Sequence, residues 1–181
     1  MSSSLAHRFL FAALLGAAAI AAPPTVAATA GLAHVADAPT CSSANTQVWL
    51  GDGEGGGAAG RAYYPLEFSN IGKRTCSLDG YPGVAPLGSS DAQIGRPAGR
   101  NTGAHSAVTL APGATAHALL SIADWGAICT KAVSAYGLQV YPPGQRQARQ
   151  IGFPFQICAH TSVLITGPVR AGVGIPGYTY S

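Results

Sequence analysis

The sequence predicts an all-β protein, an antiparallel sandwich or barrel, and three observations carry this prediction. Short segments with alternating apolar and polar residues recur at a spacing of roughly ten residues, as strands do in such folds. Glycine and proline are abundant, at 24 and 13 of 181 residues, and they separate these segments as turn formers do. No long segment shows the 3.6-residue period of an amphipathic helix.

The clearest predicted strand covers residues 61–69. Tyr64, Leu66 and Phe68 share one of its faces, and Pro65 lies on the opposite face. Because proline has no N–H to donate, Pro65 predicts that this strand is an edge strand or carries a bulge. The other predicted strands, which bring the number to eight or nine, are residues 47–50, 84–87, 93–96, 107–110, 115–122, 136–141, 150–157 and 162–166.

A stretch rich in turn formers, residues 70–84, separates two of these strands. Gly80, Tyr81, Pro82 and Gly83 are predicted to form a structural turn. Pro82 and Gly83 suit the central positions of a type II turn, in which the glycine takes a positive φ. The ring of Tyr81 is expected to cover a disulfide formed by Cys76. We therefore predict no active site in this stretch.

The N-terminus has the three parts of a secretory signal peptide. Arg8 precedes an apolar run over residues 9–22, and the small residues 28–30 follow it. Cleavage after Ala30 is favoured and cleavage after Ala28 is the alternative. The apolar run is short and rich in alanine, so an uncleaved membrane anchor is the less favoured interpretation. No second apolar span is predicted after the signal peptide.

Four cysteines follow the predicted signal peptide, namely Cys41, Cys76, Cys129 and Cys158. An even number of cysteines in a secreted chain predicts two disulfides, and three connectivities are open. We favour Cys41–Cys76 with Cys129–Cys158, because each pair then closes a local loop. A zinc site is the alternative, although no two of these cysteines have the close C-x-x-C spacing of zinc knuckles.

The charge composition excludes one class of partner. Charged residues make up 9% of the chain, against about a quarter in an average soluble domain. Without Arg8, nine of the ten basic residues remain against seven acidic ones, which gives a net charge of +2. There is no basic run, so the electrostatic footprint of a nucleic-acid-binding protein is absent.

The titratable residues form no local catalytic signature. The candidates after the signal peptide are His34, His105, His117, His160, Asp79, Asp91 and Asp124. Neither a Gly-x-Ser-x-Gly elbow nor a His-Glu-x-x-His motif occurs. We therefore expect no catalytic residue and no cofactor, and a hydrolase would need the fold to assemble a His–Asp pair in a pocket.

His105 and His117 are weak candidates for a copper or zinc site. If strands 107–110 and 115–122 pair through the Pro112-Gly113 turn, the two imidazoles approach each other. The alternation of the second strand places His117 opposite Ala118 and towards solvent. Since two ligands hold a metal weakly, a third would be needed, and we predict no metal site.

Aromatic residues are the other binding candidates, because exposed aromatic rings bind sugars or protein partners. The candidates are Trp49, Tyr63, Trp125, Tyr141 and Tyr178. For Trp49 a place in the core is favoured over exposure.

Several segments together resemble a known family. The most specific string is Cys76-Ser77-Leu78-Asp79-Gly80-Tyr81-Pro82-Gly83-Val84, which follows Leu66-Glu67-Phe68-Ser69-Asn70. Val108-Thr109-Leu110-Ala111-Pro112-Gly113, Cys129, Val140-Tyr141-Pro142-Pro143-Gly144 and Cys158 come next in the chain. In these segments, roughly residues 41–168, the chain resembles a family of secreted actinobacterial proteins, domain of unknown function 4232. The resemblance implies an immunoglobulin-like β-sandwich outside the cell with conserved disulfides, and it implies no catalytic residues.

The sequence therefore predicts a secreted, non-catalytic module of unknown role that binds a protein or a cell-envelope component such as a glycan. An unrecognised secreted hydrolase and a weak copper- or zinc-binding protein are the alternatives. The predicted organisation is a signal peptide at residues 1–30, a flexible mature N-terminus at 31–40, a β-sandwich domain at 41–170 and a C-terminal tail at 171–181.

Overall fold

The structure, a computed structural model, describes residues 38–51 and 60–174, and every structural statement below concerns these residues. The strands are β1 (Thr46–Leu50), β2 (Arg61–Asn70), β3 (Cys76–Leu78), β4 (Gly83–Leu87), β5 (Gly99–Arg100), β6 (Val108–Leu110), β7 (Thr115–Ala123), β8 (Ala132–Tyr141), β9 (Arg149–Cys158), β10 (Leu164–Thr166) and β11 (Arg170–Ala171). Two short 3-10 helices span Ser43–Asn45 and Trp125–Ala127. The predicted signal peptide, most of the predicted flexible N-terminus and Tyr178 lie outside the described residues.

The strands form three sheets, which confirms the all-β, mainly antiparallel class. The largest, called the long sheet here, has the order β1-β2-β7-β10-β5, and β11 pairs with the first half of β7. A second sheet has the order β4-β8-β9, and β3 pairs with β6 in a third. Only the β10–β5 pair is parallel among the described strands.

The Pro112-Gly113 turn joins two sheets rather than two paired strands. β6 pairs with β3, whereas β7 pairs with β2, so residues 107–110 and 115–122 do not form the pair that an approach of His105 to His117 would require. Gly113 has a φ of +81°, which a residue with a side chain rarely adopts. The turn chemistry was readable from the sequence, but the strand to which each arm pairs was not.

The core lies between the facing sheets and is built from the predicted alternation. Leu66 and Phe68 of β2 are completely buried, as are Leu120 of β7 and Leu138 of β8. Burial of a side chain of this size stabilises the fold by about 1.5 to 3 kcal/mol relative to exposure. The predicted face that carries Leu66 and Phe68 is therefore the core-facing side of β2.

Pro65 does not mark an edge strand, because β2 runs between β1 and β7. The carbonyl of Pro65 accepts a hydrogen bond of 2.8 Å from the amide of Gly51, the residue that follows β1. In an antiparallel strand the N and C=O of one residue point to the same neighbour. The missing N–H of Pro65 therefore faces the end of β1, where the ladder stops.

Two disulfides, Cys41–Cys76 and Cys129–Cys158, tie distant segments to the sheets. These are the two pairs that the sequence analysis favoured because each closes a local loop. Beside the first, the amide of Cys41 donates to the carbonyl of Ser77 at 2.9 Å, so the N-terminal segment is held by backbone bonding as well.

The turn after β3 differs from the predicted type. Gly80 has a φ of +92°, whereas Gly83 is absent from the positive-φ residues and begins β4. The prediction of a type II turn with a positive φ at Gly83 is therefore wrong. The carbonyl of Gly80 accepts from the amide of Val169 at 2.9 Å, which fixes this turn against the chain beyond β10.

Candidate functional site

Four side chains gather on the surface where the chain leaves β3 and where it leaves β5. They are Asp79, Tyr81, Arg100 and His105, and we call them the Tyr81 cluster. Asp79 follows β3 directly, Arg100 ends β5, and His105 lies in the connection to β6. The positive φ of Gly80 turns the chain sharply between Asp79 and Tyr81, so that both side chains meet the same connection.

The Tyr81 cluster is held together by contacts among its own members. Nδ1 of His105 lies 2.9 Å from Oδ1 of Asp79. The rings of Tyr81 and His105 meet edge to face at a centroid distance of 5.6 Å. The guanidinium carbon of Arg100 lies 5.8 Å from the Tyr81 centroid, within the range of a cation–π contact. Tyr81 therefore lies between a cation and an imidazole.

The connection that carries His105 is anchored at several points. The Tyr81 hydroxyl donates to the carbonyl of Gly103, and Nη2 of Arg170 donates to the carbonyl of Ala104 at 2.7 Å. The amide of Asn101 donates to the carbonyl of Thr166 at 3.0 Å. The Tyr81 ring contacts Arg100 and His105, and its expected packing over the Cys76 disulfide stays a prediction.

The Tyr81 cluster presents cationic and hydrogen-bonding groups to water. The N–H groups of Arg100 form no hydrogen bond with any described residue, so they are available to a ligand. Because an exposed carboxylate accepts, the proton of the His105–Asp79 contact lies on Nδ1, which leaves the Nε2 edge of His105 open. The Arg100 guanidinium suits a carboxylate or another anionic group, whereas Nε2 of His105 is a hydrogen-bond acceptor.

His105 and Asp79 are also the kind of pair that the hydrolase alternative requires. Their side chains are 44% and 56% exposed, so the pair lies on open surface rather than in a pocket. Within residues 38–51 and 60–174, His105 is hydrogen-bonded to Asp79 alone, and no hydroxyl is positioned against it as a nucleophile. The arrangement is a His–Asp pair without the third member of a triad.

The two histidines proposed as weak metal ligands have different surroundings. His105 contacts Asp79 and Tyr81, whereas Nδ1 of His117 lies 2.9 Å from the carbonyl oxygen of Gly172. The expectation that His117 faces solvent is wrong, because its exposure is only 4%. No group of three His, Cys, Asp or Glu side chains able to hold a metal occurs in the described part of the chain.

A groove of about 540 Å³ lies beside the Cys41–Cys76 disulfide. Asn45, Ile71, Lys73 and Arg74 are among the residues that line it. Its wall is shaped by the buried Asn70, whose Nδ2 donates to the carbonyls of Arg74 and Leu110, both at 2.9 Å, and whose Oδ1 accepts from the amide of Gly72. The groove is thus a product of the turn-rich stretch that the sequence analysis interpreted as structural.

A second concave surface, which we call the aromatic cleft, has a volume of about 370 Å³. It is lined by Trp125 and Phe155, with Arg61, Asp124 and Gln156 among its polar lining residues. Asp124 caps the 3-10 helix that carries Trp125, because its side chain accepts from the amide of Gly126. Trp125 is thus a predicted aromatic candidate that lies in a concave surface.

The other predicted aromatic candidates within the described residues are partly buried. Trp49 is half-buried and pairs in register with Glu67, while its neighbours Val48 and Leu50 pack against the core. The preferred core position for Trp49 is therefore wrong. Tyr63 and Tyr141 are also half-buried.

Sequence reasoning missed Arg100 and Phe155. Arg100 is an isolated arginine in a stretch interpreted as a loop, and nothing local distinguishes it from any solvated cation. Phe155 does have a signal, since it alternates with glycine, proline and glutamine in β9. That alternation predicts a shared face but not the cleft onto which the face opens.

No helix in residues 38–51 and 60–174 has both the length and the apolar character needed to cross a membrane. A comparison with curated proteins finds no match. The sequence profile of the family described as a domain of unknown function (DUF4232) matches residues 41–169. This match spans strands β1 to β10, both disulfides and all four members of the Tyr81 cluster. The chain is a member of the DUF4232 family.

Proposed function

We propose that this protein is a secreted, non-catalytic module that binds an envelope-associated protein through the Tyr81 cluster. The observation that carries the proposal is the exposed Arg100, which stacks on Tyr81 and forms no hydrogen bond with the described residues. Arginine and tyrosine are enriched among the residues that dominate binding energy at protein interfaces. An acidic side chain of the partner is the group that the Arg100 guanidinium would bind, and Nε2 of His105 would accept from an N–H or O–H of the partner.

The support for secretion comes from the signal-like N-terminus and the two disulfides. Structural disulfides form and persist in oxidising compartments, outside the cytosol. Two cross-links within the fold also suit a binding scaffold, because a preorganised surface loses less conformational entropy when it binds.

The proposal predicts that Arg100→Ala weakens partner binding by about 30-fold, the effect of losing an interface residue worth about 2 kcal/mol. A photoreactive residue at Thr102, which is exposed in the same connection, would capture the partner from envelope extracts for identification by mass spectrometry. Affinity for the purified partner is then measured by calorimetry for the wild type, Arg100→Ala and Arg100→Lys. Lysine keeps the charge but not the planar donor geometry, so an intermediate loss is expected.

Lys131→Ala is the matched control, because Lys131 is an exposed cation outside the Tyr81 cluster. It should bind the partner with wild-type affinity. Equal affinity of Arg100→Ala and the wild type would contradict the proposal. So would loss of binding in Trp125→Ala alone, which would move the site to the aromatic cleft.

A further inference from the structure

A row of side chains crosses the outer face of the long sheet. Trp49, Glu67, His117 and Arg170 occupy successive strands in register. Their neighbours in sequence, such as Leu66 and Ala118, face the core, so the row points away from it. Glu67 and His117 are nevertheless only 3% and 4% exposed. Something must cover this face at the middle of the row.

The chain beyond β10 provides cover. Arg170 and Ala171 pair with β7, and the amide of Gly172 donates to the carbonyl of Thr115 at 3.0 Å. Nδ1 of His117 then donates to the carbonyl of Gly172 at 2.9 Å. The amide of Gly174 donates to Oε1 of Glu67 at 2.6 Å. Two side chains of the sheet thus hold the backbone of the segment over them.

The second oxygen of Glu67 has no such partner. Oε2 is buried and forms no hydrogen bond. Burial raises the pKa of the Glu67 carboxyl above its ordinary value, while the Gly174 amide and the charge of His117 act in the opposite direction. Among the described residues, the groups beside Glu67 include His117 from β7, Trp49 from β1, the backbone of Gly51 and the Gly174 amide. Arg170 lies beyond His117, and its guanidinium is bonded to the carbonyl of Ala104.

We propose that Glu67 and His117 form a clasp that fastens residues 170–174 over the long sheet, and that this clasp is closed in acid and loosens towards neutral pH. With the clasp open, the carboxyl of Glu67 meets water and its pKa returns to the ordinary value. Because the closed clasp binds the proton more tightly, protonation favours closure. Protonation of Glu67 stabilises the closed clasp fully when the pH lies below the ordinary pKa of the carboxyl. This stabilisation is lost as the pH rises through the raised pKa that the carboxyl has in the closed clasp. The bond from His117 persists in either of its protonation states, since Nδ1 carries a proton when it donates to a carbonyl.

The clasp connects to the Tyr81 cluster through Arg170. This residue pairs with His117 on one side and donates to the carbonyl of Ala104, next to His105, on the other. Opening of the clasp therefore removes one anchor of residues 101–107. The clasp itself does not depend on the proposed binding function, and it is tested without any partner.

The test compares hydrogen exchange of the mature secreted chain between pH 4 and pH 8 for the wild type and Glu67→Gln, at matched intrinsic rates. Glutamine keeps the acceptor for Gly174 but has no proton to lose in this range. Relative to the variant, protection of residues 170–174 in the wild type should fall by up to about tenfold per pH unit between the ordinary and the raised pKa. Residues 101–107 should lose protection over the same range.

A ratio of wild-type to Glu67→Gln protection that stays constant with pH would overturn the proposal. A second measurement needs no variant. The amide resonances of Gly172 and Gly174 in the wild type should titrate together with a midpoint above pH 4.5, and the absence of this titration would also refute the clasp. His160→Gln, which removes an exposed histidine elsewhere, should leave both readouts unchanged.

Discussion

Replacement of both Cys41 and Cys76 by alanine is expected to lower the free energy of unfolding by about 4 kcal/mol, the loop-entropy value for residues 35 apart. The cross-link restricts the unfolded chain, and its loss restores that freedom. Both cysteines are buried, so the alanines also remove packed sulfur atoms from the core. The measurement is denaturant unfolding of the oxidised proteins, with the variant showing a lower midpoint.

The second disulfide provides the matched comparison. Cys129 and Cys158 are 29 residues apart, and the entropy depends only on the logarithm of loop length. Replacing this pair by alanine should therefore cost nearly the same, within a few tenths of a kcal/mol. A cost below about 1 kcal/mol for the first pair would show that the backbone bonds between residues 39–41 and Ser77 hold the N-terminal segment without the cross-link.

Asn70→Ala should cost about 3 kcal/mol of unfolding free energy. The side chain of Asn70 is 1% exposed and makes three hydrogen bonds, to the carbonyls of Arg74 and Leu110 and from the amide of Gly72. Alanine leaves these backbone groups without their partner, and each buried group left unpaired costs about 1 to 3 kcal/mol. Water from the adjacent groove can replace the lost hydrogen bonds of the backbone groups on the groove side, which reduces the loss of unfolding free energy. Thermal unfolding measures the loss.

Two variants bracket that result. Asn70→Asp keeps the acceptor for Gly72 but places a carboxylate against two carbonyl oxygens, so it should destabilise at least as strongly as alanine at neutral pH. Asn45→Ala changes an exposed side chain in the same groove and should stay within about 0.5 kcal/mol of the wild type. Equal stability of Asn70→Ala and Asn45→Ala would mean that the Asn70 bonds do not organise the groove.

The local features of the fold could be predicted because they depend on neighbouring residues. Alternation in residues 61–69 correctly placed Leu66 and Phe68 on one face, which is buried, since side chains of a strand point to opposite faces in turn. Cysteine spacing predicted the two disulfides that are observed. The string from Cys76 to Val84 was specific enough to predict the family that the profile match shows. For the candidate site, the sequence supplied Asp79, Tyr81 and His105 but not their association.

Only the tertiary structure determined the contacts between residues that are far apart in the chain. The Pro112-Gly113 turn looks like a hairpin locally, yet its two arms join different sheets because each finds its partner elsewhere. Arg100 meets Tyr81 only because β5 joins the long sheet through β10. Alternation correctly places His117 opposite the core, but whether that face meets water depends on residues 170–174, which pack over it from more than fifty positions away. A pattern in a strand determines which side chains share a face, and only the rest of the chain determines what covers that face.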